Sequence, residues 1–200
     1  MTLERLRTVS DGLVVPLARL SARIGLGPHA VSVLGFAGAV GAAVGFAVGG
    51  PEGYLAGAGL VVVSGILDLV DGALARELEV ASPAGDVLDH TLDRYADIAL
   101  DGGLALGIDR PLLGFLAVTG VLMTSYLGTQ AQAVGIDRMY AGVLGRADRL
   151  MLVGVVAVLA WGVGATVAGV PLVAAVLVFL AVIGHLTAVQ RLSSALGQLP

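Results

Sequence analysis

The chain has 200 residues, of which 57% are hydrophobic and only 13% charged, and its mean hydropathy is +0.95. A soluble domain carries about a quarter charged residues, so this composition excludes an ordinary soluble protein and points to an integral membrane protein. The formal charge of −4 carries no nucleic-acid footprint. All 11 basic residues are arginine, and neither lysine nor cysteine occurs, which removes Schiff-base chemistry, thiolate nucleophiles, thiolate metal sites and disulfides.

The first residues, MTLERLRTVSDGL, alternate charge with apolar positions and lack the pattern of a cleaved leader. Leu3, Leu6, Leu13, Leu17, Leu20 and Ile24 recur at helical spacing, with Arg5, Arg19 and Arg23 on other faces. This predicts an amphipathic interfacial helix over residues 1–26, bent or split at Pro16. A membrane-spanning helix needs roughly 20 apolar residues, and six stretches qualify: 30–48, 53–74, 84–107, 111–133, 148–169 and 171–192. The expected fold is therefore an all-α integral membrane protein, one domain over residues 1–200, with six transmembrane helices (30–192) after the interfacial helix.

The turns at Gly49 to Gly53 and Ala168 to Pro171 carry no arginine, and Gly107 to Pro111 carries only Arg110. Arg5, Arg7, Arg19, Arg23, Arg76, Arg94, Arg138, Arg146, Arg149 and Arg191 fall on the opposite side. The positive-inside rule assigns that side to the cytoplasm, giving a multi-pass protein of the cell membrane with both termini inside.

The second span delivers Asp68 and Asp71 at its cytoplasmic end, and the third begins there with Asp86, Asp89 and Asp93. Asp68 and Asp71 are an i,i+3 pair, Asp89 and Asp93 an i,i+4 pair, so each pair shares a helix face. Carboxylates in apolar helices are costly and mark a functional site by default. Four facing acids repel unless they are protonated or held by cations. Hard oxygen ligands with no cysteine select Mg²⁺ or Mn²⁺ over zinc. Two such ions about 3.5–4 Å apart are a standard clamp for phosphoryl transfer.

Arg76 is placed to pair with phosphate oxygens, and Gly72, Ala75 and Gly85 leave room for a flat base. Asp93, the deepest of the four, is the candidate acceptor of a hydroxyl proton. Taken singly, Asp68 with Asp71 reads as a solvated helix end and Arg76 as a topology anchor; the complete spacing is far more specific. Asp97 and Asp101 read as inter-helix polar contacts or cavity lining, His90 as packing or support, and His185 as a hydrogen-bonded span residue.

Asp68, Asp71, Gly72, Ala75, Arg76, Gly85, Asp89 and Asp93 fill every position of a DxxDGxxARx8Gx3Dx3D pattern. The chain thereby resembles the CDP-alcohol phosphotransferase family over nearly its whole length. The resemblance implies a homodimeric membrane enzyme of phospholipid synthesis with its active site open to the cytoplasm. It implies two metal ions on Asp68, Asp71, Asp89 and Asp93, with Asp93 also the proton acceptor, and CDP held by the glycines and Arg76. Ser82 matches a position that contacts the nucleotide lipid in similar phosphatidylinositol-phosphate synthases. His29, Ala30, Val31 and Ser32, after Pro28, are similar to the family's PNxxT segment, which helps bind CDP; His29 and Ser32 depart from it. A proline-started helix with Ser32 facing a neighbour explains that segment equally well.

For the acceptor, Arg138, Arg146 and Arg149 form a cluster suited to an anionic group, although topology anchoring accounts for one or two of them. GVLGRADRL, from Gly142, is similar to the GxxxRxxRL stretch of family members that use inositol phosphate. SYLGTQAQ departs from the basic SYxKAR of the bacterial ones at Gly128, Thr129 and Gln130, and archaeal ones look closer. The expected reaction is transfer of the lipid phosphoryl group, archaetidyl in type, from a CDP-linked lipid to 1L-myo-inositol 1-phosphate with release of CMP. The alternatives are glycerol 3-phosphate as acceptor or, from another class, a divalent-cation transporter. Transporters commonly show repeated halves with a site near the midplane, and no repeat is evident in this sequence.

Overall fold

The computed structural model describes residues 2–137 and 145–199, with side chains from residue 12 onward. Among these residues the helices are α1 (Thr2–Arg23), α2 (Pro28–Val48), α3 (Gly50–Glu77), α4 (Pro83–Gly107), α5 (Pro111–Ala133), α6 (Arg146–Gly162) and α7 (Leu172–Leu196). Pro28, Pro83 and Pro111 open their helices, where the fixed φ suits the helix and the missing N–H has no partner to lose.

Helix neighbours form a closed ring. α2 packs on α3 and α4, α3 on α6, α6 on α7, α7 on α5, and α5 on α4, while α1 packs on α3 outside it. The ring is apolar at its centre, where Ala39, Ala42, Phe46, Leu100, Leu104, Ala157 and Leu177 are buried together. Small residues let the helices close up in the manner of membrane bundles. A Cβ on Gly184 of α7 would lie 2.7 Å from the carbonyl carbon of Gly120 on α5.

α2, α3, α5 and α7 are long and apolar enough to cross a membrane. α4 carries Asp86, Asp89, Asp93, Arg94, Asp97 and Asp101, and α6 has only 17 residues, so neither reaches that standard although both are members of the ring.

Beyond shifts of a few residues at helix ends, two features differ from the sequence expectation. The fifth stretch, expected over 148–169, is helical only to Gly162. Gly164 has a φ of 99°, and beyond it β1 (Thr166–Val167) pairs antiparallel with β2 (Val170–Pro171) around Ala168 and Gly169, with φ of 50° and 81°. Left-handed backbone at three positions in six residues cannot continue a helix. The second difference is at Pro16, which lies inside an unsplit α1. Val14 and Ala18 bury against Val31, Val70 and Leu74, so α1 is seated on the α2–α3 pair beside the C-terminal end of α3.

Candidate active site

α3 runs 28 residues, about 42 Å at 1.5 Å per residue, so Asp68 and Asp71 lie on its last three turns. The chain then reverses through a Schellman turn: Val80 N donates to Ala75 O at 3.0 Å, Glu79 N to Arg76 O at 3.2 Å, and Glu79 itself sits at φ 56°. That left-handed residue satisfies the last carbonyls of α3. Ser82 follows as the N-cap of α4, its Oγ accepting from Gly85 N at 3.2 Å, which satisfies one of the orphan donors at the helix start. This local chemistry aims the Asp89 and Asp93 face of α4 at the Asp68 and Asp71 face of α3.

The four aspartates line one cavity with about 240 Å³ of empty space, together with Ser32, Arg146 and, at its apolar end, Phe36. Ser32 Oγ donates to Asp71 Oδ2 at 2.6 Å, so the serine of α2 orients one carboxylate directly. Arg146, the first residue of α6, spans the cavity: Nη1 is 2.7 Å from Asp68 Oδ1 and Nη2 is 2.8 Å from Asp93 Oδ1. Its Nε is buried without a hydrogen-bond partner.

A second, more open cleft of about 550 Å³ adjoins the first and shares Ser32, Asp71 and Asp89 with it. Its walls are Pro28 and His29 of α2, Gly72, Ala75 and Arg76 of α3, and Ser82, Gly85 and Asp86 at the start of α4. Arg76 is exposed, with no carboxylate partner among the described residues. A Cβ on Gly85 would stand 3.4 Å from His29 Nε2 and 3.5 Å from Ser82 Oγ, so any larger side chain there projects into the cleft. The two compartments share a wall of carboxylates, the arrangement needed if a diphosphate lies along the cleft with its reacting phosphorus at the aspartates.

Of the residues expected from the PNxxT-like segment, His29 and Ser32 line the cleft. Val31 is 1% exposed within the apolar cluster of α1 and α3, and Ala30 lines neither cavity. Helical periodicity explains the split, because positions 29 and 32 share a face while 31 points the other way. The expected acceptor arginines divide too. Arg146 stands among the carboxylates, whereas Arg149 turns deeper, Nη2 to Asp97 Oδ2 at 3.1 Å; Arg138 lies outside the described residues.

Asp97 and Asp101 fit their sequence reading as inter-helix contact and cavity lining, since they line a small cavity with Arg149 and Leu180. His185 Nε2 is 3.4 Å from Thr119 Oγ1, the hydrogen-bonded span residue expected. Asp97 meets Arg149, Arg94 and Arg146, a role whose one trace in the sequence is the i,i+4 stripe of acids from Asp89 to Asp101. His90 stands beside the site as a supporting residue would, its Nδ1 3.5 Å from Asp89 Oδ2, and Asp89, His90 and Asp93 offer ligand atoms within 4.8 Å of one another.

The donor set suits a hard divalent cation. Four carboxylates from two helices face one small cavity, with a serine hydroxyl at its edge and no sulfur, a ligand chemistry of the Mg²⁺ and Mn²⁺ type.

The sequence profile of the CDP-alcohol phosphatidyltransferases matches residues 26–186. The chain belongs to that family. It is accordingly a transferase of phospholipid biosynthesis, which leaves the cation-transporter alternative without support. This CDP-alcohol phosphatidyltransferase is 32% identical over 191 residues to the archaetidylinositol phosphate synthase of Methanothermobacter thermautotrophicus, covering 95% of this chain and 92% of that protein. It is 37% identical over 151 residues to the phosphatidylinositol phosphate synthase of Mycobacterium tuberculosis, covering 70% of this chain and 67% of that one. Crystal structures of the Mycobacterium tuberculosis synthase share its fold. The one with CDP-DAG bound superimposes with a TM-score of 0.80 at 32% identity, over 91% of this chain and 92% of the other. The one with manganese and citrate gives 0.81 at 31% identity, over 92% and 88%. The manganese complex of that relative supports use of a divalent metal in this fold.

Proposed function

We propose that this CDP-alcohol phosphatidyltransferase transfers the archaetidyl-type phosphoryl group of a CDP-linked lipid to a hydroxyl of 1L-myo-inositol 1-phosphate, releasing CMP. The observation that carries the acceptor reading is the position of Arg146, whose guanidinium lies 2.8 Å from Asp93. A cation able to bind the acceptor's phosphate thereby adjoins the carboxylate able to take its hydroxyl proton. The similarity to an archaetidylinositol phosphate synthase along 95% of the chain supports the same choice.

In the proposed reaction the acceptor hydroxyl attacks the β-phosphorus, the bond from that phosphorus to the bridging oxygen breaks, and CMP departs with the electron pair. Asp93 takes the hydroxyl proton, and its place beside Arg146 couples proton acceptance to acceptor binding. Gly72, Ala75, Gly85, Ser82 and His29 form a cleft shallow enough for the nucleotide, and Arg76 at its mouth supplies a guanidinium for phosphate oxygens. Asp68, Asp71, Asp89 and Asp93 would hold two Mg²⁺ or Mn²⁺ ions. When bound, such ions neutralise diphosphate charge and stabilise the leaving group. Ser32 keeps one oxygen of Asp71 oriented by its 2.6 Å hydrogen bond.

The same reading has six membrane-crossing helices, α2 to α7, with α1 in the interface and the site open to the cytoplasm, in a homodimer. The arginines flanking the cytoplasmic helix ends support that sidedness, and the closed contact ring of α2 to α7 supports α4 and α6 as spans. The direct test is CMP release by the purified protein in lipid vesicles with a CDP-linked lipid and Mg²⁺ or Mn²⁺. Inositol 1-phosphate, glycerol 3-phosphate and serine are offered in turn. Preferred turnover of inositol 1-phosphate is expected; preference for glycerol 3-phosphate would replace the acceptor, and turnover of serine alone would overturn the anionic-acceptor reading.

A further inference from the structure

Asp89, Asp93, Asp97 and Asp101 recur every fourth residue on α4, each about 6 Å deeper than the last. The first two line the catalytic cavity, and Asp101 lines only the small cavity behind it. Asp97, between them, is where arginines from two helices converge. Arg149 Nη2 of α6 donates to its Oδ2 at 3.1 Å, Arg94 Nη1 of α4 lies 3.2 Å from that oxygen, and Arg146 Nε lies 4.0 Å from its Oδ1. The side chains are withdrawn from solvent, with Asp97 7% exposed, Arg149 13% and Arg146 17%.

Such a knot is poorly explained as a stabilising device. Desolvation offsets most of the attraction in a buried ion pair, and apolar residues of similar volume hold two helices together as well. What a carboxylate does that an apolar residue cannot is fix the plane of a guanidinium. Arg149 and Arg146 are one turn apart on α6, so a single carboxylate opposite them sets the direction of both. Arg146 also needs an anchor on its inner side. Both of its Nη groups reach toward Asp68 and Asp93, and its buried Nε has no hydrogen-bond partner, so the Asp97 charge is the nearest influence on that edge.

We propose that Asp97 is a positioning residue for acceptor recognition: through its carboxylate it holds Arg149, and by its field Arg146, in the orientation that receives the acceptor's phosphate. The inference rests on the anionic-acceptor reading above. Asp97 lines neither the four-aspartate cavity nor the nucleotide cleft and reaches Asp93 only through Arg94 and Arg146, so its effect falls first on the arginines that face the acceptor.

The test is steady-state kinetics of Asp97→Asn in vesicles, varying inositol 1-phosphate and CDP-linked lipid separately, with Mn²⁺ affinity measured on the same preparation by electron paramagnetic resonance. Loss of a supporting partner of this kind is worth about 10- to 100-fold. The KM for the acceptor should rise by that factor, while the KM for the lipid and the Mn²⁺ affinity stay within about twofold. Unchanged acceptor KM, or equal losses for both substrates and the metal, would overturn the proposal. Should the Asn variant fail to fold, Asp97→Glu retains the charge on a longer arm, and the same selective rise or its absence decides the matter. Asp97→Asn should cost the acceptor less in the Arg149→Gln background than in the wild type, since only its field on Arg146 is then left to lose, and fully additive losses count against the coupling. The two readings fail separately. Wild-type turnover of serine alone removes the anionic acceptor whatever Asp97 does, whereas wild-type use of a phosphorylated acceptor with an unaffected Asn variant removes only Asp97.

Discussion

Arg146 Nη1 and Asp68 Oδ1 lie 2.7 Å apart, joining the first residue of α6 to the last turns of α3. Because the other Nη reaches Asp93 of α4 at 2.8 Å, one guanidinium ties α6 to the consecutive helices α3 and α4. The geometry uses the planar fork of arginine, which an ammonium does not reproduce.

Arg146→Gln should therefore affect the acceptor far more than folding alone explains. Truncating one partner of a buried, hydrogen-bonded charge pair costs about 2–5 kcal/mol. The lower bound corresponds to about a 30-fold loss in kcat/KM for the acceptor at 1.36 kcal/mol per decade. Arg146→Lys should recover only part of it, because a point charge cannot bridge two carboxylates in one plane. Full recovery by lysine would show that charge alone matters at this position.

Asp93→Asn keeps the shape of the side chain and removes the proposed proton acceptor. General-base catalysis is typically worth about 10² to 10⁴ in rate, so kcat should fall within that range while CDP-linked lipid, measured by equilibrium binding, is still retained. CMP release at the wild-type rate would mean that another group takes the proton.

The aspartate site was legible in the sequence because its spacing is fixed by helix periodicity: i,i+3 and i,i+4 acids on two successive helices can only form two facing pairs once the chain reverses between them. The ends of α6 were less legible, since Val163, Val167 and Val170 are apolar enough to extend a span, and only the left-handed residues at Gly164, Ala168 and Gly169 stop it. The partition of the arginines was not legible at all. Arg146 and Arg149 are three residues apart and identical in type, and what sends one to Asp68 and Asp93 and the other to Asp97 is the packing of α6 against α3, a contact between residues far apart in the chain. Val31 was misplaced for a related reason, because reading the segment as a unit ignored that adjacent helical residues face different neighbours.

Ser32 offers a milder perturbation of the proposed metal site. Its Oγ lies 2.6 Å from Asp71 Oδ2 and 3.1 Å from its own helix's Pro28 carbonyl; one hydroxyl proton cannot serve both well, and the shorter, charge-assisted bond takes it. Ser32→Ala frees Asp71 to rotate. Supporting partners of metal-ligating carboxylates are worth about 10- to 100-fold in affinity, so Mn²⁺ binding should weaken by that order, with thermal stability in detergent nearly unchanged. Equal Mn²⁺ affinity would mean that Asp71 is held by its other surroundings, and Ser32→Thr, which keeps the hydroxyl, should behave as wild type.

Gly184 tests the scaffold apart from the chemistry. α5 and α7 approach so closely that a methyl group on Gly184 would meet Gly120 C at 2.7 Å and Gly120 Cα at 3.0 Å, and one on Gly120 would meet His185 N at 3.1 Å. These contacts are with backbone, which cannot swing aside as a flexible side chain can, so the helices must separate. Overpacking of this kind costs about 1–3 kcal/mol. Separation would also disturb Thr124, whose Oγ1 donates to Gly184 O at 2.9 Å and whose carbonyl accepts from Arg191 Nη1 at 2.7 Å. Gly184→Ala should accordingly lower the thermal midpoint of the detergent-solubilised protein by several degrees, on the scale of about 2–4 °C per kcal/mol for a chain of this size. Gly102→Ala, at a position where an added Cβ meets nothing within 4 Å, is the control and should leave the midpoint in place. A Gly184→Ala midpoint equal to that of the control would mean that α5 and α7 have room to part without loss, and that their close approach is not what holds this side of the ring.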